Sequence, residues 1–322
     1  MSTVFLETTG DRHLRRIGGL TALERRVREA AKQGATRVVV GAAPIDFERP
    51  LPVPVEFSTT VPDGARVERA EVIEDIELVD DDAVKRAEWA LIRRMNKAHE
   101  GPVDALINWR FSMRITRALS HRSLAVTPNH VTIAAILVGL AAAALALRGD
   151  YLGFALAGVL LEINSILDSV DGELARLRFQ YSKVGQWLDN LSDDLVDNAF
   201  IAATGYALGG VWMALGFAAA GGRLVHALST YIWVYATTGG GDLFSFRWWF
   251  ESETASAEEV YSPRSVTTWL RSLGRRDTFV FCWMIAALCG LPQWIVVHGL
   301  VIAAINVGLL GLHFTVFRRR RA

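Results

Sequence analysis

Cysteine is nearly absent from this chain. Cys282 and Cys289 are the only two, seven apart in one apolar stretch, so no disulfide framework is indicated. An excess of one charge is also missing. Lys and Arg total 34, and Asp and Glu total 34, which leaves no pointer to nucleic acid as a partner. The opening MSTVFLETTGDRH has no apolar core of the kind a secretory leader carries. The N-terminal part is therefore expected to stay in the cytoplasm.

What is present is apolar and segregated. Of the 322 residues, 51% are hydrophobic, and the length suggests one or two domains. The first hundred residues are charge-rich and the rest largely apolar. Apolar runs lie at about 131–148, 151–170, 191–208, 211–236, 277–291 and 293–317. Each is near the roughly 20 residues that cross a bilayer. The connections at 149–150, 209–210 and 291–293 carry no Lys or Arg. The other side holds Arg176, Arg178, Lys183, Arg247, Arg264, Arg271, Arg275, Arg276 and the run Arg318 to Arg321. The positive-inside rule then places both termini in the cytoplasm.

Residues 1–100 read as a small α/β domain and 103–322 as the membrane domain. Thr21 and Glu24 form a capping box that opens a helix. Arg37 to Gly41 and Val55 to Phe57 read as strands, and Arg66 to Val79 as one or two more. Asp81 or Asp82 is expected to cap a helix that runs through Met95 and ends at Gly101-Pro102. Between Val103 and Ser123, Trp109, Phe111, Ile115 and Leu119 interleave with Arg110, Arg114, Arg117 and Arg122. That pattern describes an interfacial amphipathic helix with a basic face; a helix packed on the soluble domain is the plainer alternative. The fold class expected is mainly α: a six-transmembrane-helix bundle with this interfacial helix and the N-terminal α/β domain.

The chain is organised around DSVDGELARLRFQYSKVGQWLDNLSD, residues 168–193. Asp168 and Asp171 are three apart, and Asp189 and Asp193 four apart, so each pair shares a helix face. Both pairs adjoin apolar runs. Ionised carboxylates at a membrane boundary are costly and mark function by default. Four acids converging there call for a cation, and hard oxygen ligands favour Mg²⁺ or Mn²⁺. Two such ions can clamp a pyrophosphate for displacement at phosphorus. Gly172 and Gly185 would let a phosphate or base approach the backbone, and Arg176 would pair with a phosphate. The plain alternative is a set of solvated carboxylates at helix ends.

These residues resemble the signature of the CDP-alcohol phosphatidyltransferases, D-x2-D-G-x2-A-R-x8-G-x3-D-x3-D. Asp168, Asp171, Gly172, Ala175, Arg176, Gly185, Asp189 and Asp193 fill its positions, and the resemblance covers about residues 103–318. It implies six membrane helices and transfer of a substituted phosphate from a CDP-alcohol to a hydroxyl, with release of CMP. It further implies that Asp168, Asp171 and Asp189 are metal ligands, and that Asp193 is a ligand or the general base. CDP binding would involve Gly172, Ala175, Arg176 and Gly185. Thr127-Pro-Asn-His-Val-Thr132 is similar to a turn that precedes the first membrane helix in many members. It makes Asn129 a candidate for contacting CDP, or simply a helix cap.

Further polar residues sit in or beside the apolar runs. Glu162 is read as a structural residue bonding across the bundle. Asp197 continues the Asp189–Asp193 stripe by one turn. Arg223 faces either a carboxylate such as Glu162 or the acceptor's phosphate; Arg275 and Arg276 are further acceptor-phosphate candidates. Arg247-Trp-Trp-Phe250 reads as an interfacial anchor.

GLTALERRVREAAKQGATRVVVG resembles the helix-then-strand segment of sugar-nucleotide cytidylyltransferase domains. The preceding ETTGDRHLRRIGG lacks that family's glycine-rich triphosphate loop, and no strand long enough to present one is expected before Gly10. This implies a truncated, inactive relative that residues 1–95 contribute without being needed for transfer. Together these likenesses point to the branch of inositol-phosphate transferases fused to a cytidylyltransferase-like domain. The donor would be CDP-diacylglycerol or a soluble CDP-polyol, in phospholipid or inositol-phosphate synthesis. A homodimer in the cell membrane is expected. Two other classes compete: a divalent-cation transporter, whose acids should lie near mid-membrane, and an inactive membrane scaffold.

Overall fold

The computed structural model describes residues 2–95, 102–120, 126–238, 246 and 274–321. It divides into two compact units. The readings of Gly101, Arg122, Arg264, Arg271 and the Arg247–Phe250 anchor lie outside the described residues. So do the side chains of Lys183 and Arg318 to Arg321.

The first unit gathers residues 1–95 with 113–126 and 173–180. Its centre is a parallel sheet of order β5-β4-β1-β6, built from β1 (Thr3–Glu7), β4 (Arg37–Val40), β5 (Val55–Phe57) and β6 (Arg66–Arg69). Val4, Phe5 and Leu6 of β1 are buried in succession, as a parallel strand covered on both faces requires. β1, five residues long, stands where no strand long enough to present a loop before Gly10 was expected. It pairs with β4 from Thr3↔Arg37 to Leu6↔Val40, and with β6 from Val4↔Arg66 to Glu7↔Arg69. Two short hairpins complete the strands: β2 (Arg16–Ile17) with β3 (Leu20–Thr21), and β7 (Val72–Ile73) with β8 (Ile76–Glu77).

Helix α1 (Ala22–Lys32) shows the Thr21 half of the expected capping box: Glu24 N donates to the Thr21 hydroxyl at 3.1 Å, while the Glu24 carboxylate pairs with Arg28. Leu23, Val27 and Ala30 pack it on Val4, Leu6, Val38 and Val40. The N-cap of helix α2 (Asp81–Arg94) falls one residue before the nearer of the two expected, Asp81. Asp80 is the N-cap, accepting from Ala83 N at 2.6 Å, because it has the extended backbone a capping residue needs.

The second unit holds residues 96–112, 127–172 and 181–322. It is all helical among the described residues. A π-helical turn (Asp104–Asn108) leads into α3 (Trp109–Ser120), of which the residues from 113 on belong to the first unit. Then come α4 (Pro128–Ala146), α5 (Tyr151–Arg178), α6 (Lys183–Leu208), α7 (Gly210–Thr238), α8 (Arg276–Leu288) and α9 (Gln293–Arg321). Helix α6 packs against α4 and α7, and α9 against α7. Leu161, Phe200, Trp283 and Ile295 are buried at the centre, with Phe200 and Trp283 stacked at 6.1 Å.

Each of the six apolar runs becomes a helix, but the polar ends stay helical as well. Four helices are long and apolar enough to cross a membrane: Pro128–Ala146, Tyr151–Arg178, Gly210–Thr237 and Gln293–Val316. Helix α6 carries four aspartates, Asp189, Asp193, Asp194 and Asp197, and α8 has only 13 residues. In α3 the deeply buried positions are Ser112, Thr116 and Ser120, while Phe111 is exposed. One loop reading also changes. Helix α4 ends at Ala146, so its connection to α5 includes Arg148, which Asp150 neutralises at 2.8 Å.

Candidate metal and phosphotransfer site

Asp168 and Asp171 lie on α5, Asp189 and Asp193 on α6. Ser182 starts α6, its hydroxyl accepting from Gly185 N at 2.8 Å. Asp168, Asp171 and Asp189 each offer a carboxylate oxygen, all within 4.8 Å of one another. Such a cluster of hard oxygens suits Mg²⁺ or Mn²⁺. Asp171 is 6% exposed, and its Oδ2 accepts from the Thr132 hydroxyl of α4 at 2.6 Å.

Asp193 makes a different contact. Its Oδ1 lies 2.7 Å from Nη1 of Arg276, the first residue of α8. The same nitrogen is 3.4 Å from Asp168 Oδ2, and Arg276 Nε is 3.3 Å from Asp197 Oδ1. Asp197 continues the α6 stripe and is itself buried. Its other oxygen pairs with Arg223 Nη2 of α7 at 2.9 Å, and Arg223 Nε donates to Asn198 Oδ1 at 3.3 Å. Arg223 thus meets Asp197 where Glu162 was the suggested carboxylate. Both Glu162 oxygens are buried without a hydrogen-bond partner among the described residues, so the expected bond across the bundle is not made. Asp197, one turn beyond Asp193 on the same helix face, meets Arg223 of α7 as well as Arg276 of α8.

Arg275 and Arg276 part company. Arg276 enters the aspartate stripe, whereas Arg275 is half exposed and lies 3.4 Å from Asp277. On the donor side, Thr127 caps α4, its hydroxyl accepting from His130 N while Thr127 N donates to His130 Nδ1. Asn129 is therefore not the cap. A Cβ on Gly185 would lie 3.1 Å from Asn129 Oδ1 and 2.8 Å from the Ser182 hydroxyl, so these two polar side chains and the glycine converge. Gly172 follows Asp171 directly. Ala175 and Arg176 lie further along α5, in the stretch that folds with the first unit, and both are half-buried.

Sequence reasoning did not single out Thr132, Asn164 or Tyr231. Arg276 Nη2 donates to Asn164 Oδ1 at 2.6 Å, and Asn164 Nδ2 to Ala135 O at 2.8 Å. The Tyr231 hydroxyl donates to Asp194 Oδ2 and lies 3.0 Å from Asn190 O. The available signals were weak: an asparagine inside an apolar run, and a threonine closing the turn that contains Asn129.

The model of one protein family, CDP-alcohol phosphatidyltransferase, matches residues 125–305. The chain is 31% identical over 224 residues to the bifunctional IPC transferase and DIPP synthase of Aquifex aeolicus (strain VF5), covering 69% of this chain and 46% of that protein. It is 38% identical over 125 residues to a protein of the same name from Thermococcus kodakarensis, covering 38% and 27%. Over 99 residues it is 40% identical to the archaetidylinositol phosphate synthase of Pyrococcus horikoshii, covering 30% and 48%. The chain thus spans less than half the length of each of these relatives.

Proposed function

This chain belongs to the CDP-alcohol phosphatidyltransferase family, and on that premise we propose that it is an integral membrane transferase. It moves a substituted phosphate, phosphatidyl or polyol-phosphate, from a CDP-alcohol to a hydroxyl acceptor and releases CMP. The observation that carries this reading is the meeting of Asp168, Asp171 and Asp189 within 4.8 Å. Those three residues, with Asp193 as the fourth candidate, would hold divalent Mg²⁺ or Mn²⁺, two ions by the family resemblance. When bound, the metal neutralises the donor's pyrophosphate charge.

The protein's own residues do the rest. Asp193 accepts the acceptor's hydroxyl proton. The hydroxyl oxygen bonds to the phosphorus that bears the alcohol, and the bond from that phosphorus to the CMP oxygen breaks. Gly172, Gly185 and Asn129 border the nucleotide, with Ala175 and Arg176 further along α5. Arg223, Arg275 and Arg276 are the cations proposed for an anionic acceptor; Arg275, half exposed and paired only with Asp277, is the most open of them, since Arg223 and Arg276 are already paired with Asp197 and Asp193.

The names of the relatives favour inositol-phosphate chemistry, with CDP-diacylglycerol or a CDP-polyol as donor. In this reading α4 to α9 all cross the bilayer, α3 lies at the interface, and the aspartates and both termini face the cytoplasm, where CDP-alcohols are found. A homodimer completes the proposal. Screening the purified protein for CMP release across CDP-alcohols and hydroxyl acceptors tests it. Release with none of them, at saturating Mg²⁺ and in lipid, would count against the reading.

A further inference from the structure

Arg276 is engaged through all three of its guanidinium nitrogens. Nη1 meets Asp193 at 2.7 Å and Asp168 at 3.4 Å, Nε meets Asp197 at 3.3 Å, and Nη2 meets Asn164 at 2.6 Å. These partners come from both α5 and α6. Only 17% of the Arg276 side chain is exposed. A guanidinium stays charged at every accessible pH and fixes its partners in the plane of its fork. Removing a buried, fully paired cation from such a setting is strongly unfavourable.

Two of these partners are carboxylates that a second divalent ion would need. Asp168 belongs to the three-acid group. Asp193 lies one turn beyond Asp189 on the same helix face. A dication on Asp193 would share that carboxylate with a guanidinium already 2.7 Å away, and the two cations repel.

We propose that Arg276 is the fixed cation of this site: it keeps Asp193 out of the metal shell and limits the protein alone to one divalent ion, on Asp168, Asp171 and Asp189. A second ion would need ligands from the donor's pyrophosphate in place of the carboxylate oxygens that Arg276 holds. Asp193 is then oriented by an arginine and keeps an oxygen for the acceptor's proton. This inference rests on the reading of the three aspartates as a metal centre.

The test is Mn²⁺ titration of the full-length purified protein without nucleotide, with free Mn²⁺ read by electron paramagnetic resonance. The wild type should bind one tight equivalent. Asp193→Asn should leave that affinity within about twofold. Arg276→Gln should gain a second equivalent within about tenfold of the first, Arg276→Lys should behave as wild type, and the Arg276→Gln, Asp193→Asn double variant should return to one. A tenfold weaker tight ion in Asp193→Asn would overturn the proposal, and so would unchanged stoichiometry in a folded Arg276→Gln. The isosteric Asp193→Asn variant keeps the test decisive if Arg276→Gln does not fold. Equal Mn²⁺ binding by the wild type and Asp189→Asn is a distinct result: there the metal centre itself fails.

Discussion

The Thr132 hydroxyl donates to Asp171 Oδ2 at 2.6 Å, and both groups are buried. The same hydroxyl oxygen lies 3.2 Å from Pro128 O, one turn back on α4. Thr132 therefore ties the start of α4 to one carboxylate of the three-acid group and fixes which way that carboxylate turns. Partners of this kind commonly change metal affinity by about 10- to 100-fold when removed. Thr132→Val should weaken Mn²⁺ binding by about tenfold, and Thr132→Ser should stay near wild type. Equal affinities in the two variants would show that the hydroxyl does not orient Asp171.

The three-acid group itself makes a sharper demand. Asp168→Asn, Asp171→Asn or Asp189→Asn should each abolish CMP release while the protein still inserts and stays monodisperse. Chelation by EDTA should do the same, reversed by Mg²⁺ or Mn²⁺. Each change keeps the side-chain shape and removes one charge, so a folding defect is not expected. Full CMP release in two of these variants, or in excess EDTA, would remove the metal assignment.

The helices were legible because apolar runs of this length admit few other structures, but their ends were not. The apolar run at 151–170 continues as helix to Arg178, and α6 begins at Lys183, eight residues before its apolar run. Polar residues there keep the helical hydrogen bonds without supplying the hydrophobic signal. That Asp168, Asp171 and Asp189 would gather was legible from their spacing. Which arginine meets them was not: Arg275 and Arg276 are neighbours in sequence, but Arg275 is the extended N-cap of α8 and Arg276 its first helical residue, and only Arg276 reaches the stripe. Strand β1 was missed because it is only five residues long and buried on both faces, so it shows no alternation to read.

Orientation across the membrane is open to a direct measurement. In a background with Cys282 and Cys289 replaced by serine, Pro292→Cys should react with an impermeant thiol reagent added outside intact cells. Tyr181→Cys, at a position 60% exposed beside the start of α6, should react only after lysis. The reverse pattern would put the aspartates on the side that lacks cytoplasmic CDP-alcohols.

Residues 1–95 carry the final prediction, which has two parts. The sequence suggested that they are dispensable for transfer, and the first unit gives a reason to expect otherwise. Arg25 Nη2 donates to Leu177 O at 2.8 Å and to Ile17 O at 3.1 Å, while Arg49 Nη2 donates to Arg178 O at 2.9 Å. The last carbonyls of a helix lack partners within it, and here two arginines supply them for α5. Burial lowers the Arg25 pKa to about 10, so the guanidinium remains charged at neutral pH. Arg25→Ala would leave the Leu177 carbonyl buried and unpaired, at a cost of about 1–3 kcal/mol. The variant should therefore melt several degrees lower, and deletion of residues 1–95 should reduce both yield and activity. The second part is that this unit has no cytidylyltransferase activity. A triphosphate cradle needs free backbone amides in a compact glycine-rich loop. A Cβ on Gly18 would meet Leu177 Cδ1 at 2.8 Å, and one on Gly19 would meet Arg178 Nε at 3.0 Å. Both glycines are thus committed to packing against the end of α5, and Gly10 stands apart from them. Full-length protein given CTP and a polyol phosphate should release no pyrophosphate above background. Release that disappears in Gly19→Val, with CMP release from a CDP-alcohol retained, would show that residues 1–95 form a working nucleotide site.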